Sequence, residues 1–224
     1  MDRRFLGILA AIVIIFIVVF AITQNSNNNN SGSNNSGSQP THHVEGQGSS
    51  GVTLVEWGDY ECPICEAYYQ PLKQAVTPLL PQIYFQFRNL PLTAIHPNAF
   101  AGARAAEAAG LQGKYWQMHD KLYDNQNDWV TASNPQSLFD AYARQIGLNI
   151  SKFDSDYASG QVNSAINADL ATFDKTGKEK ATPTFFLDGQ YVPNSELVDP
   201  QTGAPSPDKI TAVIQAEIAK KKNT

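Results

Sequence analysis

Apolar and polar positions change their pattern sharply along the 224-residue chain. Phe5 to Ile22 is a run of eighteen residues without a charge. As a helix it would extend roughly 27 Å, against a hydrocarbon layer of about 30 Å, so it predicts a single membrane-spanning segment. From there to Gly51 apolar residues almost vanish and Asn, Ser, Gly and Gln dominate. A stretch with so little to bury cannot offset the entropy of ordering it, and it reads as a flexible linker with a root-mean-square reach of about 30 Å. His42 and His43 fall inside it and are expected to be solvated.

From Val52 the pattern is that of a globular domain. Short β-rich runs occupy Val52 to Trp57, Ile83 to Arg88 and Thr184 to Leu187, the last turning at Asp188-Gly189 into Gln190-Tyr191-Val192. Pro63 to about Leu80 has helical spacing, with Pro71 expected to kink it and Pro78 near its end. Between about 96 and 177 no strand pattern occurs. Helices are expected over Pro97 to Ala109, Lys114 to Asn125, Pro135 to Ile146, from Ser151, and over Val162 to Phe173. Ser206-Pro207-Asp208 opens a last helix that turns Ile210, Val213, Ile214 and Ile218 onto one face. The order is βαβ, an all-helical block, then ββα. That is an α/β domain with a central mixed sheet whose first two strands are parallel neighbours.

The organisation expected is therefore an anchor over residues 1–23, a linker over 24–51 and one folded domain over 52–224. With 42% hydrophobic residues the last can bury a proper core. Arg3 and Arg4 favour a cytoplasmic N-terminus, which would place the folded domain outside the cytoplasm on a single-pass anchor in a bacterial envelope. Val19-Phe20-Ala21 could be a signal-peptidase site. The apolar run exceeds the 7 to 15 residues or so usual in a cleaved signal, so a retained anchor is preferred. A net charge of -5, with Lys220-Lys221-Lys222 as the one basic run, gives no footprint for nucleic acid. A monomer is expected.

Candidate chemistry centres on Cys62-Pro63-Ile64-Cys65, which holds the chain's two cysteines. Three readings compete. As a structural bridge the pair is poor, since closing so short a loop removes only about 2 kcal/mol of unfolded-chain entropy. As a zinc site it is incomplete, because four Cys or His ligands are wanted and His42, His43, His96 and His119 are scattered without ligand spacing. Redox chemistry fits best. A cysteine at a helix N-terminus has its thiolate held by free N–H groups and the helix dipole, and the thiolate is the species that exchanges. Cys62 is then the exposed attacking sulfur and Cys65, a turn deeper, the resolving one. Pro63 suits the first helical position, which needs no N–H donor.

Around this pair run Glu56-Trp57-Gly58-Asp59-Tyr60-Glu61, then Arg88-Asn89-Leu90-Pro91-Leu92, His96-Pro97-Asn98-Ala99, Ala105-Ala106-Glu107-Ala108, Gly113-Lys114-Tyr115-Trp116, His119-Asp120 and Ala181-Thr182-Pro183-Thr184. In this order the set resembles the DsbA-like thiol:disulfide oxidoreductases of the thioredoxin superfamily, from about Val52 to the C-terminus. The resemblance implies a thioredoxin fold with a helical insertion. It also implies a cis peptide bond at Pro183 facing the cysteines, with Thr182 offering its backbone to an incoming peptide. Glu56 matches an acidic strand position, where a buried carboxylate could accept the Cys65 proton; a plain edge-strand glutamate is the alternative. His96 and His119 receive no catalytic role. Trp116 and Trp129 read as core.

The activity implied is disulfide formation in exported cysteine-containing polypeptides, with a membrane redox partner reoxidising the pair and no metal or organic cofactor. Many relatives carry histidine between the cysteines, where this chain has Ile64. That departure predicts a less oxidising pair and keeps open a reductase or isomerase. A tethered peptide-binding module with an inert disulfide is the alternative of another class.

Overall fold

In the computed structural model residues 39–223 are described; the Phe5 to Ile22 run and residues 24–38 of the expected linker lie outside them. The elements are β1 (His43–Gly46), β2 (Val52–Gly58), α1 (Pro63–Val76), β3 (Ile83–Asn89), α2 (Ala99–Gly110), α3 (Tyr115–Asp124), α4 (Gln126–Trp129), α5 (Gln136–Gln145), α6 (Ile150–Tyr157), α7 (Gly160–Asp174), β4 (Thr184–Leu187), β5 (Gln190–Val192) and α8 (Pro207–Lys222). Among the described residues no helix is long and apolar enough to cross a membrane.

The sheet order is β1-β3-β2-β4-β5, with β2 parallel to β3 and the other pairs antiparallel. This is the thioredoxin arrangement, with α2 to α7 as the insertion between β3 and β4. β2 is central, which rules out an edge-strand setting for Glu56. Tyr68, Leu72, Ala75 and Val76 of α1 pack with Ile210, Ile214 and Ile218 of α8 against the sheet. Cys65 and Tyr69 of the same helix join Phe87 and the insert's Met118, Leu122, Trp129 and Phe139 in a second core. α1 continues through Pro71, and Pro78 falls in a 3-10 turn after its end. The hairpin between β4 and β5 turns on Asp188 and Gly189, both at positive φ (48° and 77°), the geometry that a two-residue primed turn requires.

The linker expectation is corrected at its C-terminal part. β1 pairs antiparallel with β3, His43 opposite Phe87 and Gly46 opposite Tyr84. Just before it, the Thr41 backbone N–H donates to Asp169 at 2.9 Å, and the Thr41 hydroxyl donates to the same carboxylate. His43 is not solvated: Nε2 lies 2.9 Å from the Glu107 carboxylate, and the ring stacks on Tyr115 at 3.4 Å. Low apolar content made these residues look unable to fold. Their stability comes instead from a backbone ladder and from two buried acids supplied by the insert.

Candidate active site

The end of β2, α1 and the loop before β4 build the site. At Gly58 an added Cβ would sit 2.4 Å from the Phe87 ring, so only glycine lets the strand end pack there. Asp59 then turns the chain. Its Oδ1 accepts the Glu61 N–H at 2.8 Å and its carbonyl the Cys62 N–H at 3.1 Å. Cys62 is the N-cap of α1 with extended backbone, and Pro63 takes the first helical position. Cys65, in the first turn, is fully buried. Both cysteines are thiols in this structure.

The peptide bond between Thr182 and Pro183 is cis, and the Cys62 thiol donates to the Thr182 carbonyl at 3.4 Å. That loop covers the sulfur, so Cys62 is only 5% exposed, which corrects the expectation of an open thiol. Beside it Ile64 is 54% exposed and marks the open face of the site.

Electrostatics divide the two sulfurs. Cys62 is pulled down to about 6: hydrogen bonding from the Cys65 thiol, helped by Thr182 and by the N–H groups of Cys65 and Ile64, outweighs burial. Cys65 is pushed well up by burial, and further by its hydrogen bond with Cys62 and that sulfur's charge. Burial, with the Cys62 charge, also lifts Glu56 to about 8. At neutral pH the site holds one thiolate, one thiol and one neutral carboxyl group. Glu56 is 3% exposed, but it lines a cavity of about 90 Å³ between α1, β3 and α3, shared with Tyr69, Leu72, Lys73, His119 and Asp120. That volume can hold several waters. At its rim Lys73 and Asp120 pair at 2.7 Å.

The structure thus brings Cys62, Cys65, Pro63, Ile64, Thr182 and Pro183 together, with Glu56 beneath them. His119 lies in the buried aromatic cluster, Nδ1 3.1 Å from Tyr60 Oη, and burial drives its pKa down to about 3. His96 Nδ1 lies 2.7 Å from Asp59 Oδ2. Trp129 is fully buried, and Trp116 lines the cavity wall. Sequence reasoning missed the ties from the insert to the loop before Cys62. Asp59 holds His96 and the Leu92 N–H, Glu61 accepts the Asn98 N–H, and Gln126 donates to the Tyr60 and Cys62 carbonyls. Gln126 falls between two expected insert helices, and a polar side chain there gives no local sign of its partner.

A family described as thioredoxin matches residues 38–216. The chain belongs to this thioredoxin family. The match begins before β1, in keeping with that strand's place in the fold. Among solved structures, this chain resembles BdbD from Bacillus subtilis, with a TM-score of 0.64 and 21% identity over 82% of this chain and 97% of that one. It also resembles MdbA of Actinomyces oris, a thiol-disulfide oxidoreductase, with a TM-score of 0.62 and 16% identity over 81% and 93%. The thioredoxin domain is 37% identical over 150 residues to the Na(+)/H(+) antiporter NhaA 1 of Salinispora arenicola, 66% of this chain and 22% of the antiporter. The chain thus spans about a fifth of the length of that curated relative. A further structural neighbour is alpha-DsbA1 of Wolbachia pipientis, with a TM-score of 0.65 and 16% identity over 82% of this chain and 93% of that one, and these likenesses show the shared fold.

Proposed function

We propose that this protein is an extracytoplasmic thiol:disulfide oxidoreductase working as a disulfide oxidase. The observation that carries the proposal is the Cys62 sulfur at the head of α1 beside cis Pro183, its pKa pulled down to about 6 chiefly by hydrogen bonding from the Cys65 thiol, helped by the N–H groups of Cys65 and Ile64. A reduced state stabilised in this way makes the disulfide form the better electron acceptor.

In the oxidised protein a substrate thiolate attacks Cys62 Sγ, and the Cys62–Cys65 bond breaks. Cys65 leaves with the electron pair and takes a proton from Glu56, which is neutral below about pH 8. A second substrate thiolate attacks the substrate sulfur of the mixed disulfide and expels Cys62 as the stable thiolate. The substrate has lost two electrons and gained a disulfide; Cys62 and Cys65 have gained both. Glu56 recovers its proton from water in the cavity, and in the reverse direction it first gives that proton up to the water and then, as the carboxylate, accepts the proton of Cys65. Thr182 offers backbone groups to an extended peptide at the mouth. Substrates are exported cysteine-containing polypeptides, Phe5 to Ile22 anchors the chain, and a membrane redox partner withdraws the two electrons.

One observation favours the opposite direction. Ile64 is apolar where a cation would hold the thiolate harder, so a reductase is the second reading. Equilibration of the purified protein with glutathione buffers separates the two. A potential on the DsbA side, toward about -120 mV, supports the oxidase, and one near thioredoxin's, about -270 mV, supports the reductase. The exchange itself is tested with Cys65→Ser, whose Cys62 thiolate should attack disulfide-bonded exported proteins, expel one substrate sulfur as a thiolate and accumulate as mixed disulfides. If none forms, the domain is a binding module and both redox readings fall.

A further inference from the structure

Gln126 begins α4 in the insert and is buried, 6% exposed. Its Nε2 donates to the Tyr60 carbonyl at 2.9 Å and to the Cys62 carbonyl at 3.0 Å. These acceptors bracket Glu61, so one planar amide fixes the backbone on both sides of it. The Cys62 carbonyl also receives the Glu66 N–H at 3.1 Å and is where the hydrogen bonding of α1 begins.

We propose that Gln126 is a positioning residue for thiol exchange, acting through the peptide unit that joins Cys62 to Pro63. Holding that carbonyl sets the direction of the first turn, and so the aim of the Ile64 and Cys65 N–H groups at the Cys62 sulfur. The chemistry requires this side chain. Two carbonyls need two donors on one nitrogen in a fixed plane. Asparagine lacks the reach, an ionised glutamate would set oxygen against oxygen, and lysine would bury a charge with no anion to meet it. Asp59 and Glu61 also fasten the loop, through His96, Leu92 and Asn98. Those ties end one residue short of Cys62. Gln126 carries the restraint onto the cysteine, so the insert takes part in tuning the thiol as well as in covering it.

This inference rests on the reading of Cys62 as the attacking thiolate. Gln126→Met keeps the volume and removes both donors. In the reduced full-length protein, alkylation of Cys62 by iodoacetamide is followed from pH 4 to 9 or so, with the glutathione equilibrium and the melting temperature measured alongside. Loss of the amide should move the alkylation midpoint upward. It should also shift the glutathione equilibrium toward the disulfide form by about fivefold, the factor one ordinary net hydrogen bond is worth. Gln126→Glu, protonated in so buried a setting, keeps one donor and should fall between. If the midpoint and equilibrium stay within twofold of wild type while only the melting temperature falls, Gln126 is structural and the proposal fails. Should Gln126→Met not fold, Gln126→Glu decides by the same two readouts. A wild-type protein with no fast-reacting thiol near pH 6 would overturn the reading of Cys62 instead.

Discussion

At the residue scale the site separates two thiols that would titrate together in water and lifts a carboxyl group toward them. Burial alone pushes every acid toward its neutral form, and it wins at Cys65 and Glu56; at Cys62 directed hydrogen bonds reverse it. For Glu56 this has a consequence for stability whose sign is fixed. Unfolded, the carboxyl group ionises near 4.5, and folded it keeps its proton to about 8. Between those values the folded state holds the extra proton, so rising pH withdraws stability, on the order of 5 kcal/mol in full. Glu56→Gln removes that dependence. Urea unfolding of the oxidised proteins at about pH 5 and about pH 8.5 should show the Gln variant gaining on wild type as pH rises. The same variant should slow formation of the Cys62–Cys65 bond from a mixed disulfide by about a hundredfold, read by acid-quenched trapping. An unchanged rate would mean that the Cys65 proton leaves by another route. The Cys62–Cys65 pair is legible from its own spacing, whereas Thr182, Pro183 and Glu56 come only from the resemblance; the fold brings Thr182 and Pro183 beside Cys62 and Glu56 close enough to feel its charge. Gln126 and the pairing of Asp59 with His96 were legible in neither way. Their partners lie tens of residues away, and only the folded insert brings them together.

At the element scale β1 is the main difference from the sequence reading. A four-residue edge strand without a clear apolar alternation carries little signal of its own. It forms because Asp169, with no exposed surface, gathers the Thr41 N–H and hydroxyl, the Asn89 N–H and Arg88 around one carboxylate. The other strands were legible: β2 and β3 are apolar enough to be buried, and Asp188-Gly189 announces the turn between β4 and β5. Asp169→Ala leaves several buried donors and Arg88 without their anion, at a cost of about 3 kcal/mol or more. Thermal unfolding should register that loss. Hydrogen exchange at Val44, Glu45 and Gly46 should speed up more than exchange at β2. Equal acceleration in both strands would show that Asp169 serves the whole fold and not β1.

For the whole molecule, the domain boundary moves from Val52 to the residues before His43. A chain beginning at Val52 would uncover the β3 edge and take His43 from Glu107, leaving it Asn89, whereas one beginning at Gln39 keeps both the edge covered and His43 in place. The shorter chain should melt lower and, with an unpaired strand edge, self-associate on size-exclusion chromatography. Equal melting temperatures and a monomeric short chain would return β1 to the status of a linker.

Because β1 runs against β3, its first residue sits opposite Phe87, two positions from the end of the strand that also carries Asn89 toward the cysteines. The polypeptide therefore enters the domain at its catalytic pole. The turn at Asp188-Gly189, tied to Thr53 at the start of β2, lies at the opposite pole, so residues that lead into β1 neighbour the cysteines and those of the β4–β5 turn do not.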